Sequence, residues 1–138
     1  MDLDKKTWIY NFPKLHRDNG SAKNEYSRTR NNYKPTIRMF KNARNRLIDR
    51  GIISESTAPS YFVECLLYNV PDDKYLGGFG NRYIEILSSL VDSLSHNQGQ
   101  TLICQNEQSS LFGPESTQWN VGDAAKLLSG LLDLWKNY

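Results

Sequence analysis

A lysine is a mobile point charge suited to phosphate, a hydroxyl beside the free amides of a helix start suits an anion, and an aromatic ring offers a face that any nucleobase can use. The 138-residue chain carries such types on a basic helical stripe and at a helix start. Lys41 belongs to a polar stripe, Lys34, Arg38, Lys41 and Asn45, which borders the apolar face Ile37, Phe40, Leu47 and Ile48 on a helical wheel. Ser60 and Tyr61 follow Pro59 at the start of a second helical pattern. Each residue also has a plainer role open to it: Ser60 in a helix cap, Tyr61 in the core, the basic stripe as a solvated face. Only a hairpin of two helices, folding back at Gly51, brings Lys41 to Ser60.

Other residue types with chemical potential are less well placed. His16 stands without a cluster of partners, so a hydrogen bond to backbone is its expected role. Cys65 lies inside an apolar helix and Cys104 in a short apolar run, giving neither a disulfide framework nor a zinc spacing, and both read as buried thiols. The glycines at 77, 78 and 80 form a connector, because no strand precedes them and no Gly-Lys-Ser/Thr follows. His96 sits near a helix C-terminus, where its placement is favourable without further function.

The elements that must position these residues follow from punctuation and period. Pro35 fits the first turn of a helix that ends just before Gly51, and Pro59 opens a second running to Tyr68, apolar almost all round apart from Glu64. Phe79, Tyr83, Ile86, Leu87, Leu90, Val91 and Leu94 recur at helical spacing, and this third helix is expected to end near His96 to Gly99. Asn120 with Asp123 resembles a cap for a final helix through Ala124, Leu127, Leu128, Leu131, Leu132 and Trp135, with Trp119 and Trp135 expected in the core. Trp8 to Phe12 reads as a short strand, residues 13–25 as loop, residues 101–105 as an apolar run of undecided conformation, and residues 106–117 as loop. The predicted fold is mainly α: one compact domain of about four helices with a short N-terminal extended segment. Glu64, the only charge on the central helix, is predicted to pair with Arg44 at the edge of the first apolar face.

One domain is the most that 138 residues provide, and 12% aromatic content favours a folded chain. The net charge of +2 hides an asymmetry: residues 1–50 hold 13 Lys and Arg against 5 Asp and Glu, and residues 51–138 hold 4 against 10. A basic first half meets either phosphates or the acidic second half, and the second is the plainer expectation. No apolar stretch approaches the roughly 18 residues of a membrane span, and the N-terminus lacks a signal-peptide core. The expected location is cytoplasmic, with no membrane partner.

An ordered set of motifs carries a family resemblance. Trp8, Asn11, Pro13 and His16 are followed by Arg38, Lys41, Arg44 and Asn45, then by Pro59-Ser60-Tyr61 and Glu64-Cys65-Leu66-Leu67. With the Trp-containing final helix, this set resembles the C-terminal helical half of the cGAS/DncV-like nucleotidyltransferases, which make cyclic oligonucleotide signals in bacterial antiphage defence. The resemblance implies that Lys41 and Ser60 contact a nucleoside triphosphate while Tyr61 stacks on its base. It also implies a catalytic lobe, fused or separate, as partner, with Mg²⁺ or Mn²⁺ bound only in its presence and none by this chain alone. The family's Gly-Ser and Asp-x-Asp find only reversed echoes here, in Gly20-Ser21 and in Asp2-Leu3-Asp4 at the terminus. The catalytic half is therefore expected to be missing, and no catalytic residue or metal ligand is assigned. Apolar surface around Trp8, Tyr10 and Phe12 is expected to meet the catalytic lobe or a second copy of the chain. Alternatives are a nucleotide-sensing or protein-interaction module without chemistry and, less favoured, a nucleic-acid binder.

Overall fold

The structure, a computed structural model, describes residues 5–95, 101–115 and 118–137 and, of residues 5–12, the backbone alone. Among the described residues it is mainly α, with helices α1 (Lys5–Asn24), α2 (Tyr26–Thr29), α3 (Tyr33–Asp49), α4 (Ser60–Tyr68), α5 (Phe79–Ser95) and α6 (Val121–Lys136), and a 3-10 turn at Asp72–Tyr75. The four helices expected from period and punctuation are α3 to α6. Their long axes surround one core in which Phe40, Leu47, Leu66, Ile86, Leu87, Leu127 and Leu131 are all buried. Helix α3 is central and packs against α1, α4, α5 and α6.

The turn after α3 forms as its sequence requires. Gly51 takes a positive φ of 73°, its amide bonds the Ile48 carbonyl at 2.9 Å, and the Ile52 amide bonds the Leu47 carbonyl at 2.9 Å. These two bonds satisfy carbonyls that the helix end would otherwise leave free, and a left-handed residue there favours glycine. The chain then returns, and Pro59 precedes the first residue of α4. At the other end of the molecule the Asn120 side chain accepts from the Asp123 amide at 2.8 Å and starts α6.

Three expectations are corrected here. The N-terminal segment is helix instead of strand and loop: α1 runs unbroken through Pro13, which removes one backbone donor without ending it. Its inward residues, His16, Asn19, Gly20 and Lys23, have helical spacing but are polar or lack a side chain, so no apolar period marks them. Trp119 is buried and donates to the Thr57 carbonyl at 3.0 Å, whereas Trp135 is 41% exposed at the end of a stack on Tyr83, outside the core. Arg44 does not meet Glu64; its guanidinium donates to the Ala58 carbonyl and to Asn45, each at 2.8 Å, tying α3 to the entry of α4.

The segment after α5 makes isolated β-bridges, Ile103 with Ser110 and Phe112 with Trp119, and lays Cys104, Gln105 and Leu111 into the core. Asp2, Asp4 and His96 lie outside the described residues, as do the side chains of Trp8, Tyr10 and Phe12.

Candidate nucleotide-binding face

Where α1, α3 and α4 meet, the Glu64 carboxylate joins all three. Lys41 Nζ of α3 lies 3.0 Å from Glu64 Oε2, and His16 Nε2 of α1 lies 3.2 Å from Glu64 Oε1. Ser60 is exposed in the first turn of α4, four residues before Glu64 and so on the same side of that helix. Tyr61 stacks on His16 with ring centroids 5.1 Å apart and planes 26° from parallel, while its edge meets Phe62 at 5.5 Å. Lys41, Ser60 and Tyr61 are thus drawn to one region of the surface, with Lys41 held by Glu64. Of the rest of the basic stripe, Lys34 reaches Ser21 Oγ of α1 at 3.2 Å and Arg38 is exposed.

The electrostatics of the region follow from this arrangement. The His16 hydrogen bond, helped by Lys41 and opposed by burial, holds the Glu64 carboxyl down to about 2. Burial raises the Tyr61 hydroxyl above its ordinary value, and its hydrogen bonds to Cys65 and Cys104 add to the rise. A hydrogen bond from Cys65 pulls the Cys104 thiol down to about 7, while that bond and burial push Cys65 up. The two cysteines are buried free thiols, as their surroundings in the sequence imply.

Sequence reasoning missed two parts of the site. His16 bonds a carboxylate instead of backbone; the clue was Glu64, a lone acid on an apolar helix one turn after Ser60. Gln105 had no such signal. It is buried, accepts from the Tyr33 hydroxyl, donates to the His16 carbonyl at 2.5 Å, and through its own carbonyl takes Asn19 of α1 at 2.8 Å. This side chain fixes the height of α1, and with it His16, over α4.

Gly20-Ser21 has a structural use. A Cβ at Gly20 would lie 2.4 Å from Gln105 Nε2, so the glycine admits the glutamine. A divalent cation does not fit the donor set: the one carboxylate here is already matched by two bases, and no three His, Cys, Asp or Glu among the described residues are grouped to hold a metal. A larger apolar groove of about 740 Å³ lies between α3, α5 and α6, lined by Met39, Phe79, Tyr83 and Trp135. Asn42 and Arg46 of α3 also border it, and none of Lys41, Ser60 and Tyr61 does.

Residues 18–136 match the model of the cGAS/DncV-like nucleotidyltransferase C-terminal helical domain. The chain belongs to this family. The cyclic UMP-AMP synthase of Rhodothermus marinus is 46% identical over 131 residues, which cover 95% of the chain and 43% of that synthase. Its structure, solved with Apcpp and Upnpp, superposes with a TM-score of 0.82 at 45% identity over 91% of the chain and 41% of its own. A cyclic nucleotide synthase of Staphylococcus haemolyticus is 43% identical over 136 residues, 98% of the chain and 44% of that protein. The cyclic dinucleotide synthase of Elizabethkingia meningoseptica, solved with GTP and Apcpp, superposes with a TM-score of 0.74 at 28% identity over 91% of the chain and 44% of its own. The chain therefore spans less than half the length of these cGAS/DncV-like relatives. No helix among the described residues is long and apolar enough to cross a membrane.

Proposed function

We propose that this chain is the nucleoside-triphosphate-binding C-terminal lobe of a cyclic-oligonucleotide synthase of bacterial antiphage signalling, completed by a catalytic lobe and without catalysis of its own. Lys41 and Ser60 bind the phosphates and Tyr61 stacks on the base. The observation that supports this reading is the 3.0 Å contact of Lys41 with Glu64, one turn after Ser60 on the helix whose start carries the serine hydroxyl and the Tyr61 ring. The relatives solved with Apcpp, Upnpp and GTP support it.

The role of each group follows from its chemistry. Lys41 has three donors and spends one on Glu64, leaving two for phosphate oxygens. Ser60 adds its hydroxyl beside its own amide and that of Tyr61, while the next two amides, of Phe62 and Val63, already bond the Pro59 carbonyl. Tyr61 is 41% exposed, enough for a base to lie on it. Lys41, Ser60 and Tyr61 bind and orient; the metal-dependent transfer of the nucleotidyl group falls to carboxylates of the catalytic lobe.

The test is a titration of the chain, supplied with the catalytic half of the Rhodothermus marinus relative, with a triphosphate and with its nucleoside. Lys41→Ala is expected to weaken triphosphate binding by about 1.5–3 kcal/mol, the worth of a charge-assisted contact, and nucleoside binding far less. Tyr61→Ala is expected to weaken both by about 1–3 kcal/mol, because stacking is indifferent to phosphate count. Equal small effects from the two substitutions, or no triphosphate binding at all, would return these residues to structural roles.

A further inference from the structure

We propose that His16 is a positioning residue for nucleotide recognition: fixed by Glu64, its ring backs Tyr61 so that the tyrosine presents its opposite face to a base. This deepens the binding reading above and rests on it. Two ring contacts locate the Tyr61 side chain. One face lies on His16 at 5.1 Å, and Phe62 packs on it at 5.5 Å with the planes 64° apart. His16 is the contact that comes from a different helix packed on the site, and it is itself anchored twice: its Nε2 on Glu64 at 3.2 Å, and its carbonyl under the Gln105 amide at 2.5 Å.

Neither ring nitrogen is free to serve the ligand directly. Nε2 is engaged with Glu64, and Nδ1 is buried with no hydrogen-bond partner. The same Glu64 carboxylate holds Lys41 through its other oxygen, so one residue sets both the ammonium aimed at phosphate and the ring behind the base-binding tyrosine. Stacking repays a ring already held at the right tilt, because a free ring must give up rotamer freedom on binding.

The test is a double-mutant cycle on the chain supplied with the same catalytic half, read by nucleoside affinity, alongside the side-chain NMR signals of Tyr61 in the chain without nucleotide. His16→Ala is expected to weaken nucleoside binding about five- to tenfold, a change of about 1–1.4 kcal/mol. In the Tyr61→Ala background it is expected to add nothing, since His16 acts through that ring; an independent structural loss would add in full. His16→Phe, which keeps a planar ring, is expected to recover part of the affinity, and His16→Gln, which keeps a donor for Glu64 without the ring, less. Without nucleotide, His16→Ala is expected to replace one fixed Tyr61 environment by averaged or exchange-broadened signals. That measurement stands even if the binding reading fails. Unchanged Tyr61 signals, additivity in the cycle, or tighter binding by His16→Ala, which would mean that the imidazole occupies the base's own place, would each overturn the proposal.

Discussion

Glu64 accepts from a histidine on one helix and a lysine on another, and both contacts favour its charged form strongly enough to hold it at about 2 against the opposing effect of burial. A carboxyl with a folded value below its unfolded value near 4.3 contributes stability above about pH 4.3 and loses it as pH falls toward 2. Glu64→Gln is therefore expected to destabilise by about 2–3 kcal/mol at pH 7, and the gap from the unsubstituted chain should narrow steadily between about pH 4.5 and pH 2. Urea unfolding at a series of pH values measures this, and a gap independent of pH would show that the loss is one of shape. The sequence marks Glu64 as a residue needing a partner but not which one. Arg44 and Lys41 lie on the same helix within one turn, and only the approach of Ala58 decides that Arg44 spends its guanidinium on a carbonyl while Lys41 takes the acid.

Elements differ in how far their own residues declare them. Helices α3, α5 and α6 carry apolar stripes at helical period, and α3 and α6 add a left-handed glycine stop and an asparagine cap, so local and global preferences agree. Helix α1 is legible only through its contacts. Its inward positions hold a histidine, an asparagine, a glycine and a lysine, and they dock by hydrogen bonds in place of apolar burial. Lys23 is the extreme case: it is 3% exposed, bonds Asp72 and the Val70 carbonyl at 2.8 Å each, and lies 5.3–5.7 Å from the rings of Tyr33, Tyr68 and Tyr75. Gly20 exposes the same logic to a test. Helix propensity alone favours alanine there by about 1 kcal/mol, but a Cβ meets Gln105 Nε2, whose side chain cannot swing away without releasing Tyr33 and the His16 carbonyl. Gly20→Ala is expected to destabilise by about 1–2 kcal/mol, and in a Gln105→Ala background the same change should become stabilising. Chemical denaturation of the four proteins reads the sign. Destabilisation that persists without the glutamine would place the fault elsewhere in α1.

Part of the charge asymmetry is spent internally among the described residues. Lys41 pairs with Glu64, and Lys23 and Arg28 pair with Asp72, so three ion pairs, with the His16 contact to Glu64 beside them, join the basic first half of the chain to the acidic second half. Three of the thirteen Lys and Arg of the first half are matched in this way, and others, Arg38 and Arg46 of α3 among them, are exposed. Proteins that neutralise six to ten phosphates of a duplex lose about 10³–10⁵ in affinity between about 50 mM and 200 mM salt. If the functional surface is that of Lys41, Ser60 and Tyr61, duplex nucleic acid is expected to bind this chain only weakly, through the exposed basic residues, and to be lost as salt rises. A nucleoside triphosphate, held by one lysine, a hydroxyl and a stacked base, should by contrast keep most of its affinity over the same range. Duplex and triphosphate titrations of the chain with the catalytic half at three salt concentrations separate the two behaviours. Tight duplex binding that collapses with salt would move the functional surface from the face around Glu64 to the exposed arginines of α3.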